Sequence, residues 1–120
     1  MLFRSRIADI GLNTEEFLYR TPIKFGGVAL DRVTMLHTSV IVESITGKRA
    51  TGRSSMPLGN VWAFPSRELT YPDTLRAMQL VAEEVRNVYL RSQLVGHPVE
   101  ITWELEHQFL EQAKIGRAHV

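Results

Sequence analysis

The 120-residue sequence predicts an α+β fold: a three-stranded antiparallel β-meander followed by two or three helices. Three observations point there. Residues 35–45 alternate in the period of a half-buried strand, with Leu36, Val40 and Val42 on one face and His37, Ser39 and Glu43 on the other. A turn signal, Thr46-Gly47-Lys48, follows directly, so residues 49–55 can return antiparallel. Beyond Pro72 the pattern changes: Leu75, Met78, Val81, Ala82, Val85, Val88 and Tyr89 recur at threes and fours, the spacing of one helical face.

The earlier strands are read from weaker signals. Residues 17–25 form a candidate strand whose Pro22 places it at a sheet edge or a strand end. Residues 4–12 form another. Between residues 56 and 72 lies a loop-rich stretch punctuated by Pro57, Gly59, Pro65 and Pro72, with Trp62 and Phe64 inside it. These aromatics either pin the loop to a core or face a pocket. Asp73 is the expected N-cap of a helix running to about Leu94, with Arg76, Gln79, Glu83, Glu84 and Arg86 on its polar side. Gly96 is expected to end that helix, and Pro98 to open the next, which runs to about Glu111 with Ile101, Leu105 and Phe109 in step and Trp103 beside them. The whole reads as one unit of about 110 residues, enough for a core of its own.

Composition narrows the function classes. The chain carries 14 Lys+Arg against 13 Asp+Glu, and without Arg117 the balance is 13 against 13. A nucleic-acid binder normally shows a basic surplus or stripe, so no nucleic-acid partner is expected. With no cysteine there is neither a disulfide framework nor a thiolate metal site, which fits a cytoplasmic protein. Arg4 and Arg6 interrupt the first six residues, so neither a signal peptide nor a membrane span is expected there. At the other end, Ile115-Gly116-Arg117-Ala118-His119-Val120 matches the translation of a common sequencing adapter up to its stop codon. Residues 114–120 are therefore expected to be an appended tail, and the natural reading frame to continue beyond about Ala113.

The chemistry-bearing motifs are incomplete. His37 lies on the polar register of a strand, as a surface histidine would. Glu104 and His107 make one E-x-x-H pair, where a di-metal bundle needs two and further carboxylates. Gly52-Arg53-Ser54-Ser55-Met56 lacks the closing glycine of a nucleophile elbow. Gly47-Lys48-Arg49 lacks the Ser or Thr of a P-loop. Lys24-Phe25-Gly26-Gly27 is a glycine-rich turn with one cation, able to hold an anion. No complete catalytic or metal site is expected in these residues.

Taken in order, several segments resemble the N-terminal capping domain of the enolase superfamily, in its mandelate racemase and muconate-lactonizing branch. They are Arg20-Thr21-Pro22-Ile23-Lys24-Phe25, the hairpin Val40-Ile41-Val42-Glu43-Ser44-Ile45-Thr46-Gly47, the returning Gly52, the long helix after Tyr71-Pro72, and Gly96-His97-Pro98-Val99-Glu100-Ile101. Where the family often reads G-x-G-E, this chain has Gly52-Arg53-Ser54-Ser55, which leaves the reaction open among racemase, epimerase, cycloisomerase and dehydratase. The resemblance implies that residues 1–113 cap a (β/α)8 barrel that lies beyond them. It implies Mg2+ held by barrel carboxylates, proton abstraction next to the carboxylate of a small substrate, and a homo-oligomeric parent. It further implies that Lys24, Phe25, Met56, Leu58, Asn60 and Trp62 line a lid over the barrel's site, and that apolar surface around Trp103, Phe109, Trp62 and Phe64 packs on the barrel. The competing class is a stand-alone α+β binding or structural module without catalysis.

Overall fold

The structure, a computed structural model, describes residues 4–25, 28–60 and 68–118. Strands β1 (Ser5–Phe25), β2 (Val28–Ser44) and β3 (Arg49–Pro57) form one antiparallel sheet in the order β1-β2-β3. Helices α1 (Tyr71–Ser92) and α2 (Pro98–Ala118) follow. The fold is the α+β meander that the alternation and the helical spacing predicted. Among the described residues no helix is long and apolar enough to cross a membrane, a statement that does not extend to strands.

The boundaries differ from expectation where neighbours override local composition. Residues 4–12 and 17–25 are one strand, not two: the polar run Asn13-Thr14-Glu15-Glu16 stays extended because it pairs with residues 34–37 of β2. Pro22 is tolerated because β1 is an edge strand, and the register shifts between Leu18 and Ile23 around it. The β2–β3 turn is the predicted one, with Gly47 at φ +86°, a conformation that costs glycine nothing.

Helix α1 begins earlier than Asp73. Thr70 is its N-cap, its Oγ1 accepting from the Asp73 N–H at 3.3 Å while donating to Asp73 Oδ2 at 2.8 Å. Pro72 fits the first turn, where its missing N–H costs nothing. The helix stops at Ser92, with Gln93 left-handed at φ 55° as C-cap, so Gly96 is not the terminator. Gly96 is instead buried, and it exchanges two backbone hydrogen bonds with Ser5 at 2.9 and 3.1 Å. That bridge pins the α1–α2 connection to the start of β1. Helix α2 continues through the residues expected to be an appended tail as far as Ala118.

Both helices cover one face of the sheet. Leu36, Leu58 and Met78 form one buried cluster with Leu12, Leu75 and Ala82 against it. Val88, Ile101 and Leu105 form a second, with Ile7, Tyr89, Leu94 and Phe109. Arg86, placed on the polar side by spacing, reaches back to the sheet and donates to the Ile10 carbonyl at 2.6 Å. Tyr71 Oη and buried Thr34 Oγ1 lie 2.8 Å apart, joining the head of α1 to β2.

The meander is uneven in length. β3 pairs with β2 only from Met35 onward, while β1 accompanies β2 to Val28. The first hairpin therefore projects as a two-stranded arm, seven residues of β2 long, or about 23 Å at ~3.3 Å per residue. Phe17, Leu18 and Ile23 are exposed on it. The radius of gyration is 16.7 Å, against about 13.6 Å for a compact chain of this length.

Two substitutions test this packing. Leu105→Ala removes a side chain only 3% exposed and is expected to cost about 2–5 kcal/mol in urea unfolding. Gln93→Gly relieves the left-handed cap and is expected to add about 0.5–1 kcal/mol. A neutral Leu105→Ala, or a destabilising Gln93→Gly, contradicts the arrangement.

Candidate functional site

Of the six residues expected to line a lid, five are among the described residues, and these are spread between the arm and the chain leaving β3. Lys24 is exposed near the tip of the arm, its backbone paired with Ala29. Phe25 closes the strand pairing against Val28. Met56 is exposed at the end of β3, opposite Leu36. Because Ala29 and Leu36 are seven positions apart on β2, Lys24 and Met56 are separated by about 23 Å along the strand. Both face the same end of the sheet, but the described residues do not bring them into one pocket. Leu58 is 8% exposed and belongs to the core with Leu36 and Met78, its N–H donating to the Thr34 carbonyl at 2.9 Å. It is a packing residue here, so it has no surface to offer a ligand. Asn60 is half-buried. Trp62 and Phe64 lie outside the described residues.

The sheet face away from the helices carries a polar array that local sequence does not reveal. His37 Nδ1 lies 2.7 Å from Ser55 Oγ, and His37 Nε2 lies 3.0 Å from Glu15 Oε1, so one imidazole links all three strands. Only the register, Asn13 opposite His37 opposite Ser55, brings these residues side by side. A hydroxyl, imidazole and carboxylate in that order are the parts of an activated nucleophile. The array is exposed to water, which weakens the electrostatic stabilisation that acyl transfer needs, and no catalytic role is assigned to it. The array is a cross-strand tie.

A second tie lies further along the same face. Glu43 accepts from Arg49 Nε at 2.8 Å and from Arg6 Nη2 at 3.1 Å, again spanning three strands. The Arg49 hydrogen bond first, and that of Arg6 next, hold the Glu43 carboxyl below its ordinary value of 4.5.

Metal-ligating side chains are scattered among the described residues rather than grouped. Glu104 and His107 are exposed on α2, and among the described residues no three His, Cys, Asp or Glu side chains are grouped to hold an ion. The set does not fit Mg2+, and no step through a metal is assigned to these residues.

The remaining feature is apolar. Trp103 is 74% exposed and Val99 69%, one turn apart on α2, with exposed Val95 just before the helix and Leu110 further along it. Trp103 is thus on the surface that an apolar partner face requires. Phe109, expected beside it, turns inward and stacks on Tyr89 with ring centroids 4.9 Å apart. The reason is helical phase: Phe109 continues the Ile101–Leu105 row, whereas Trp103 lies off it. Across the described residues ten large apolar side chains are exposed against eight apolar residues buried. Of the ten, Val95, Val99 and Trp103 line one shallow depression together.

Two measurements follow. The folded-state pKa of Glu43 lies below the unfolded one, so its contribution is full above about 4.5 and is lost as pH falls through the folded value. Melting curves of wild type and Glu43→Gln, separated at neutral pH, are expected to converge in acid; a constant separation contradicts the tie. Leu58→Ala should cost about 2–5 kcal/mol, as a core residue does, and an unchanged stability would return Leu58 to the surface set.

Comparison with protein-family models, with curated proteins and with solved structures finds no match to this chain.

Proposed function

We propose that this chain is the N-terminal capping domain of a Mg2+-dependent enolase-superfamily enzyme. The parent abstracts the proton next to a substrate carboxylate and acts as a racemase, epimerase, cycloisomerase or dehydratase. The observation that carries the reading is the projecting first hairpin on a meander-then-helices unit whose helical layer presents Val99 and Trp103 to solvent. A cap needs two surfaces: an apolar one fixed to the body of the enzyme, and an extended one that reaches over the substrate. The α2 stripe supplies the first and the β1–β2 arm the second.

In this reading the metal and the catalytic base belong to the barrel, and this chain's residues bind, orient and exclude water. Lys24, exposed near the arm's tip, offsets the negative charge of a small carboxylate substrate. Met56 and Asn60 close the other side as the cap seats. The parent works in the cytoplasm as a homo-oligomer.

The test is kinetic, on the enzyme in which this domain is joined to its barrel. With Mg2+ present, the enzyme is expected to exchange the α-proton of carboxylate substrates for deuterium. Lys24→Ala is expected to lower kcat/KM for the preferred substrate by about tenfold, a loss of ~1.4 kcal/mol, with an unchanged melting temperature. Absence of α-proton exchange across a carboxylate panel rejects the superfamily assignment. Exchange that is indifferent to Lys24→Ala rejects the lid role alone.

A further inference from the structure

We infer that the outer edge of β3 is a docking site for an extended, acidic polypeptide segment, which joins the sheet as a fourth strand. The edge belongs to the fold itself, so the inference does not depend on the capping role.

The hydrogen-bond phase of β3 defines what the edge offers. Leu58 N donates to Thr34 O at 2.9 Å, and Ser44 N donates to Lys48 O at 2.8 Å. Both pairs continue the register that sets Leu36 opposite Met56 and Val42 opposite Ala50. Bonded and non-bonded pairs alternate along an antiparallel ladder. Ala50, Gly52, Ser54 and Met56 therefore bond to β2, while Arg49, Thr51, Arg53 and Ser55 turn both N–H and C=O out of the sheet. Among the described residues no strand lies beyond β3 in the sheet, and all nine residues of β3 are exposed.

The two edges of the sheet are treated differently. β1 is interrupted by Pro22 and by two register shifts, devices that normally blunt an edge. The β2–β3 register runs unbroken from Arg49 to Pro57, and proline appears only at the last residue. An edge this regular is a template for strand addition, in which main-chain bonds supply affinity and alternate side chains supply selection.

Charge selects the occupant. The charged residues of β3 are Arg49 and Arg53, both cationic. Glu43 already holds Arg49, whereas Arg53 has no carboxylate partner among the described residues. An acidic side chain on the incoming strand, on the face shared with Arg53, completes that pair. A second copy of β3 is disfavoured. Antiparallel self-pairing centred on Arg53 sets two arginines face to face, centring on Gly52 sets them diagonally, and centring on Thr51 opposes Arg53 to Arg49. Like charges so placed are destabilising, and β3 carries no acid to offset them.

The test is amide hydrogen exchange on the full chain, with and without an acetylated peptide of alternating threonine and glutamate matched to β3's nine residues. In the free protein the amides of Thr51, Arg53 and Ser55 are expected to exchange faster than those of Gly52 and Ser54. The glutamate peptide should slow the outward set by about tenfold, and the same peptide with lysine for glutamate should not. Arg53→Glu should reverse that preference. Thr51→Pro, which removes one outward N–H and no bond to β2, should abolish the slowing. Equal slowing by both peptides, or none by either, overturns the proposal. Fast exchange at Gly52 and Ser54 instead overturns the hydrogen-bond phase beneath it. Slowing that rises with protein concentration alone assigns the edge to a second copy and also rejects it.

Discussion

The backbone groups of β2 bond to β1 along one side and to β3 along the other, and its two faces meet opposite surroundings. Thr34 and Leu36 point into the helical layer and are buried, while His37 and Glu43 point away and gather partners from both neighbouring strands. A three-stranded sheet can bury one face against a single layer of helices, and the other must stay wet. This chain fills the wet face with charge-assisted ties rather than with isolated polar side chains. One-sided burial also explains why the apolar core divides into two small clusters along α1.

A thin core has functional consequences. The helical layer is one helix deep, so residues of α2 that do not face α1 or the sheet face solvent. Val99 and Trp103 occupy that position. Among the described residues neither α1 nor α2 forms a core cluster with the arm beyond β3, and a two-stranded ribbon is marginal in water when nothing packs on it. Exposed Leu18 and Ile23 make the same point chemically.

The Ser5–Gly96 bridge joins the two ends of this arrangement. It fixes the α1–α2 connection against the start of β1, beside the shift between Ile7 and Asp9. Arg86 reaches the Ile10 carbonyl just beyond that shift. These bonds tie the start of β1 to the helices, while the Thr34–Tyr71 pair ties β2 to the head of α1.

Local sequence was sufficient for the element types. The alternation through residues 35–45, the Thr46-Gly47-Lys48 turn and the threes-and-fours spacing after Pro72 each depend only on neighbours in the chain, so they predicted the meander and the helices correctly. Long-range pairing decided the rest. The polar stretch at residues 13–16 reads as a break and is strand, because β2 supplies its hydrogen bonds. Leu58 reads as a loop residue and is core, because the chain leaving β3 folds back over Leu36. His37 reads as a lone surface histidine and is the centre of a three-strand tie, because register alone brings Glu15 and Ser55 within reach. Periodicity reports which face a residue occupies; only the tertiary structure decides what that face meets.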